Sequence, residues 1–358
     1  TKKKSIQTFK VAVDYLDAQI VFAVSQRPCR NLDPILCGED WVIDSFKSYS
    51  SSADLVLIEG VMGLYDGIGS SSKGSTAELA KLLDLPIVFI IDASGKAGSI
   101  AASVKGFKDF DKGLNIAGVV LNKVSSERHK KLLTNVLKNI NVKVLGCIPK
   151  DDCLSIESKS LGLKPAHEIS DIKYLLGQWN AIAEEYLDIN YIENLLKAPT
   201  ERNNSIRNLF NIPKKGKNLN GIPIAIAKDK AFHFRYPETK DCLESLGMNL
   251  IDWPLINDIP IPKEAKGIIL PGGFPEEFAE EISQCKNSIS SIKKSFCQKP
   301  IYAECGGMLI LGKSLTNKSG KAFPMAGILP FNAKQGKLRV GYVYEVDLEL
   351  CDPISTYL

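Results

Sequence analysis

The sequence predicts an α/β protein of two domains, each built on a doubly wound parallel sheet, and three observations carry that reading. Short apolar runs alternate with amphipathic stretches through residues 9–148, at the spacing of parallel strands joined by crossover helices. A stretch rich in Asn, Lys and Pro, containing Pro199, Pro213 and Gly216, then breaks the pattern and reads as a linker. A fresh βα series begins at residue 222. The expected organisation is a domain at 1–200, a linker at 201–221 and a domain at 222–358.

In the first domain, residues 9–13 read as a strand with Asp14 and Asp17 at its carboxyl end. Two carboxylates three residues apart on a strand-to-helix turn can share a cation, face a phosphate-bearing ligand, or cap the helix. Residues 55–58 are four apolar residues in a row, as suits a parallel strand buried on both faces. Glu59 follows at the carboxyl end, where open α/β sheets bind ligands, and Gly60, Gly63 and Gly67 let the backbone come close to one. Residues 74–83 predict an amphipathic helix capped by Ser75, leading to a strand at 86–92. A helix at 99–107, a strand at 116–121 ending on Asn122, a helix at 127–140 and a strand at 142–148 complete the series. Taken alone, Asn122 is equally a turn former.

The second series predicts strands at 222–227, 249–253 and 267–270, a helix at 236–246, and the turn Pro271-Gly-Gly-Phe-Pro-Glu276. His233, flanked by aromatics, reads as a packed side chain. A short apolar strand from Ile301 then delivers Cys305 into Gly306-Gly307 and a helix at 308–313, the arrangement of a nucleophile elbow. The helix N-terminus is expected to lower the thiol pKa.

Composition narrows the class further. Forty-four per cent hydrophobic and 24% charged residues are ordinary for a globular protein. A net charge of +4, from 45 basic and 41 acidic residues without a basic stripe, gives a nucleic-acid partner no support. No apolar run reaches the roughly 18 residues of a membrane span, and Thr1-Lys-Lys-Lys4 leads into no signal-peptide core, so no membrane association and a cytoplasmic location are expected. The nine cysteines form no Cys-x-x-Cys pair and are odd in number, so reduced thiols, most of them small core residues, are expected.

The string Glu59-Gly-Val-Met-Gly-Leu-Tyr-Asp-Gly67 resembles the signature of the cobyrinic acid a,c-diamide synthases, glutamine-dependent amidoligases of corrin biosynthesis. Asp14-Tyr-Leu-Asp17 and Asn31-Leu-Asp33 match that family in the same order along the chain. Ala227-Lys-Asp-Lys-Ala-Phe-His-Phe-Arg-Tyr-Pro237 resembles the entry to its glutaminase domain, and Ala303-Glu-Cys-Gly-Gly307 resembles the nucleophile elbow of class I glutamine amidotransferases. The chain departs from the family pattern at Ala12-Val13, at Ala18, at Glu157 to Ser160 and at His233.

The resemblance implies a P-loop, dethiobiotin-synthetase-like first domain and a flavodoxin-like class I glutamine amidotransferase second domain. It implies ATP and Mg²⁺ as cofactors and cobyrinic acid and glutamine as substrates, with amidation of the a and c carboxylates through an acyl phosphate. By the same resemblance Asp17 and Glu59 hold Mg²⁺, and Asp66 lies near the carboxylate being activated. Asp14, Tyr15 and Leu16 bind ligand, the latter two meeting the corrin, and Asn122 matches an adenine-contacting position. Cys305 is the nucleophile, with the amides around Gly272, Gly273 and Gly306 as its oxyanion hole. No Gly-rich Lys-Ser/Thr loop appears, and the family places its catalytic His beyond the Gly341 region. Both ends therefore read as cuts through a longer protein, and this stretch by itself is expected to lack a complete triad. Amidation of other corrin side chains, as in cobyric acid synthase, and a corrin- or nucleotide-binding module without turnover stay open, as does a homodimer.

Overall fold

The computed structural model describes residues 4–156, 158–159, 162–169, 171–199, 209–210, 221–334, 336, 342–346 and 353–357. Most of the expected linker, the loop residues Glu157 and Ser160, and Gly341 lie outside the described residues. The chain forms two compact units, 1–209 and 210–358.

In the first unit β1 (Ile6–Val11), α1 (Leu16–Ser25), β2 (Arg30–Leu32), α2 (Glu39–Ser50) and β3 (Leu55–Glu59) come first. They are followed by α3 (Thr76–Leu82), β4 (Ile87–Asp92), α4 (Ser99–Phe110), β5 (Ile116–Val124), α5 (Glu127–Lys138) and β6 (Val144–Pro149). A short antiparallel pair, β7 (Ser158–Lys159) and β8 (Gly162–Leu163), precedes α6 (Ile172–Tyr186) and α7 (Ile189–Leu195). The predicted βα alternation holds, and Ser75 caps α3 by accepting the Glu78 N–H at 3.2 Å. All the long strands pair in parallel, in two three-stranded sheets ordered β2-β1-β3 and β4-β5-β6.

That arrangement corrects the expectation of a doubly buried strand at 55–58. Among the described residues β3 pairs along its length with β1, its other edge makes only a bridge from Leu55 to Lys197, and only Leu55 and Val56 are buried. Leu57 is 43% exposed and Ile90 of β4 is 66% exposed. Two separate cores cover the sheets. One gathers Phe9, Leu32, Phe46 and Leu79. The other gathers Leu121, Val104, Leu133 and Leu137.

The second unit contains β9 (Ile222–Ala227), α8 (Pro237–Ser245), β10 (Met248–Trp253), β11 (Gly267–Leu270), α9 (Ala279–Gln284) and α10 (Lys286–Ser295). It continues with β12 (Ile301–Ala303), α11 (Gly306–Leu309), β13 (Ser314–Thr316), β14 (Ala322–Pro324), β15 (Asn332–Lys334), β16 (Tyr342–Val346) and β17 (Pro353–Tyr357). Its main sheet is parallel with the order β10-β9-β11-β12. The chain leaves β9 to one side for β10 and returns to the other for β11, so the switch point lies between β9 and β11. Trp253, Phe232 and Leu255 fill the core beneath it.

The helix expected at 308–313 is a single turn, Gly306–Leu309. The carbonyls of Ile310, Leu311, Gly312 and Lys313 accept N–H groups from Ala326, Ile328 and Leu329, Gly327 and Met325. These are carbonyls that any helix ending at 313 would leave free. The helical ladder itself stops because the Leu311 and Gly312 N–H groups bond only three residues back, to Met308 and Leu309, and the Lys313 N–H goes to the Phe331 carbonyl at 2.7 Å.

Candidate active site

The first unit gathers charge at its own switch point, around a residue the sequence pattern did not single out. Lys10 lies in the middle of β1 between Phe9 and Val11 and is 3% exposed. In register it stands opposite Asn31 on one side and Glu59 on the other. Its ammonium lies 2.7 Å from Asp17 Oδ2, 3.4 Å from Glu59 Oε1 and 3.7 Å from Asp14 Oδ2. Three of the predicted site carboxylates therefore converge on one buried cation.

The turn after β1 is built to hold them. Ala12 takes φ +59, a left-handed conformation that costs a residue with a Cβ about 1 kcal/mol. The Asn31 side-chain amide donates to the carbonyls of Ala12 at 2.8 Å and Asp14 at 3.1 Å, pinning that conformation. Asp14 Oδ1 accepts the N–H groups of Leu16 and Asp17, so it caps α1 while its other oxygen faces Lys10. Tyr15 is half-buried, whereas Leu16 is packed into the core at 5% exposure. Of that pair only Tyr15 is open to a ligand without movement of the helix. Beside them Asn31 Oδ1 and Asp33 Oδ2 are buried with no hydrogen-bond partner.

Electrostatics in this cluster follow from burial and crowding. Burial alone would lower the Lys10 pKa, but the hydrogen bond to Asp17 and the charges of Glu59, Asp17 and Asp14 outweigh it and raise the value. Burial, then the neighbouring Asp17 charge, pushes Asp14 above the ordinary carboxylate range despite Lys10. Glu59 is raised mainly by burial, with Asp17 and Asp14 adding to it and Lys10 opposing. Asp33 is raised by burial against the pull of the Leu36 and Ile35 amides.

The glycine loop after β3 is tightly fitted. A Cβ on Gly60 would meet the Thr76 side chain at 2.9 Å, and Thr76 Oγ1 accepts the Val61 N–H at 3.0 Å. Asp66 is exposed and holds its own loop, its Oδ2 accepting the Gly63 N–H at 2.8 Å. Tyr65 stacks on Phe107 of α4 with centroids 5.9 Å apart, tying this loop to the second core. Asn122 lies within β5, in the other sheet, opposite Asp92. Its side-chain oxygen accepts the Lys123 N–H at 2.9 Å, and Lys123 pairs with Asp92 at 2.7 Å. Asp14, Asp17 and Glu59 are thus one cluster, while Asp66 and Asn122 stand outside it.

In the second unit Cys305 follows β12 and is exposed, with φ +45 and ψ −117. Holding a residue with a side chain there costs on the order of 1–3 kcal/mol, the kind of strain kept at working sites. Its surroundings admit only glycine. A Cβ on Gly307 would collide with the Leu270 carbonyl, and one on Gly306 would meet Pro275 at 2.7 Å. The Cβ position of Gly272 lies 3.5 Å from that of Cys305. The Gly306 amide points at the Cys305 sulfur, and the Gly273 amide has no backbone acceptor among the described residues. His233 packs edge-on to Phe234 at 4.9 Å and beside Phe274 at 5.7 Å.

The expectation of a lowered thiol pKa does not hold. Although Cys305 as a residue is exposed, desolvation by the protein packed around its thiol pushes it above the ordinary thiol range, the Gly306 amide opposes, and Glu276 and Glu304 add to the rise. A helix of four residues brings too little dipole to overcome burial. Alkylation of Cys305 by iodoacetamide should therefore accelerate with pH and inflect above the free-thiol value of about 8.5. An inflection below that value would contradict this balance. The other described cysteines are also free thiols, but of the eight only Cys29, Cys147 and Cys285 are buried, fewer than expected.

Among the described residues no group of three or more His, Cys, Asp or Glu side chains is arranged to hold a metal ion. No helix among them is long and apolar enough to cross a membrane.

Comparison with known proteins matches both units. The model of the CobB/CobQ-like glutamine amidotransferase domain matches residues 223–353, and that of an AAA domain matches residues 32–158. A cobyrinate a,c-diamide synthase of Synechococcus sp. is 37% identical over 345 residues, covering 95% of this chain and 75% of that protein. One of Synechocystis sp. is 38% identical over 346 residues, covering 95% and 71%. One of Caldanaerobacter subterraneus subsp. tengcongensis is 37% identical over 347 residues, covering 96% and 75%. With the elbow cysteine on one sheet, the carboxylate cluster on another and this likeness running through both, the chain belongs to the cobyrinate a,c-diamide synthase family.

Proposed function

We infer that the protein carries out glutamine-dependent amidation of a corrin in cobalamin biosynthesis, converting the a and c carboxylates of cobyrinic acid to amides. The observation that carries this reading is Cys305, held in a strained backbone conformation over Gly306 and against the Gly272–Gly273 turn. The thiolate attacks the side-chain carbonyl of glutamine. The Gly273 and Gly306 amides stabilise the oxyanion, ammonia leaves, and water then releases glutamate from the thioester.

The first unit activates the acceptor. A substrate carboxylate takes the terminal phosphoryl group of ATP, releasing ADP. Ammonia attacks the acyl carbon, and phosphate leaves as the amide forms. Lys10 would offset charge on the arriving phosphoryl group, a role supported by its buried ammonium beside Asp14, whose other oxygen caps the α1 turn. Tyr15 and Asp66 would meet the substrate and Asn122 the adenine. Three hard carboxylates against one ammonium leave a surplus of negative charge, and Asp14 and Glu59, raised first by burial, are raised further by their like-charged neighbours. Mg²⁺ commonly binds through one or two carboxylates plus substrate phosphates and water, so this donor set fits it without a closed protein cage. Asp17 and Glu59 would hold it, and when bound it supplies neutralisation of phosphate charge.

The test is the position of the new nitrogen. With ATP, cobyrinic acid and glutamine labelled with ¹⁵N in its side-chain amide, label should appear in the a and c side chains. Label confined to other side chains would overturn the assignment of the substrate positions.

A further inference from the structure

We propose that Asp229 is a positioning residue for glutamine hydrolysis, clamping the loop against which the Gly272–Gly273 turn is seated. The inference rests on Cys305 being the nucleophile. Asp229 follows β9 at the switch point and gathers amides from two segments. Its Oδ1 accepts the N–H groups of Ala231 at 2.9 Å and Phe232 at 3.2 Å, and its Oδ2 accepts that of Ile256 at 3.0 Å. The Leu255 amide also points at it.

From there a chain of close contacts leads to the sulfur. The Ala231 carbonyl, fixed by the clamped loop, accepts the Phe274 N–H at 3.1 Å. The same carbonyl presses on Gly273 so closely that no Cβ fits. Phe234 N–H donates to the Gly272 carbonyl at 3.1 Å, holding the turn from its other side. The Gly273 carbonyl in turn lies 3.1 Å from where a Gly306 Cβ would stand, and the Gly272 Cβ position is 3.5 Å from the Cys305 Cβ. A shift of the 229–232 loop therefore moves the amide that must face the oxyanion.

A carboxylate suits this task because both its oxygens only accept, and four N–H donors converge on it. An amide would present a donor to one of the two segments, releasing either the 231–232 or the 255–256 amides. Burial raises the Asp229 pKa in spite of its four amide partners, so the clamp is retained at a cost in stability that a surface loop would not need.

The experiment compares Asp229→Asn with the parent in the full chain. The kcat for glutamine hydrolysis should fall about 10- to 100-fold, with KM for glutamine within about 3-fold. Alkylation of Cys305 by iodoacetamide forms a C–S bond with loss of iodide and develops no oxyanion, so its rate should stay within about 2-fold of the parent. An unchanged kcat overturns the proposal. So does a change in KM and alkylation rate as large as that in kcat, which would mean that Asp229 only holds the fold. If Asp229→Asn does not fold, Asp229→Ser keeps an acceptor for the local amides and should show the same division, less steeply. A Cys305→Ala control that still hydrolyses glutamine would refute the nucleophile assignment, and this proposal with it.

Discussion

Replacing Cys305 with alanine should lower glutamine hydrolysis and glutamine-driven amidation by about 10⁴-fold or more while amidation driven by free ammonia stays within about 2-fold. Without the sulfur no thioester forms, and the Gly273 and Gly306 amides have no covalent intermediate to stabilise. The carboxylate chemistry is untouched, because Lys10, Asp14, Asp17 and Glu59 belong to another compact unit with its own cores. Strain supplies a second readout. Cys305 sits at φ +45, so Cys305→Gly should be equally inactive with glutamine yet leave the second unit more stable, by about 1 kcal/mol. Purified variants, assayed with glutamine and with ammonium chloride and then melted, give both numbers. Retained hydrolysis in the alanine variant would remove Cys305 from the mechanism.

Much of this was legible in the sequence because it rests on local rules. Apolar runs at βαβ spacing gave the strands, Ser75 gave the α3 cap, and the elbow spacing put Cys305 at the end of β12. What the sequence hid depended on partners far along the chain. The run at 55–58 looks buried on both faces, but side chains alternate between faces and the one that Leu57 shares is not covered, leaving it 43% exposed. The helix after Cys305 stops early because the Lys313 N–H, which would bond back to Leu309, donates instead to the distant Phe331 carbonyl. The thiol pKa was misjudged for the same reason, since a one-turn helix cannot outweigh burial. Leu16 reads as a contact residue by its motif, yet it is a core side chain of α1. Lys10 was missed although a signal existed. A lysine between Phe9 and Val11 in a strand must be paired if buried, and Asp14, Asp17 and Glu59 lie close enough in the pattern to pair with it.

Lys10 carries the other large effect. Lys10→Met keeps the stem's volume and removes the charge, leaving Asp14, Asp17 and Glu59 to face one another. Breaking a buried pair by removing one partner costs about 3–5 kcal/mol. Because these carboxylates are partly solvated, with side chains 19%, 24% and 47% exposed, a loss near the lower end, about 3 kcal/mol, is expected. The pH dependence separates this cause from a packing defect. In the parent, the raised Lys10 pKa means that its stabilisation is complete below the unfolded value of about 10.4 and fades only as pH rises through the folded one. Asp14 and Glu59 are raised in the folded state, so their ionisation opposes folding and their protonation relieves it. Without the ammonium they rise further. The deficit of Lys10→Met should therefore be greatest near about pH 8 and shrink toward about pH 5, as the carboxylates protonate. Adding Glu59→Gln to Lys10→Met should restore part of the loss at about pH 8, since the two sites are coupled. Denaturant unfolding at both pH values decides the matter. A deficit independent of pH and indifferent to Glu59→Gln would mean that Lys10 matters for its packing, and that the convergence of three carboxylates on its ammonium stabilises nothing.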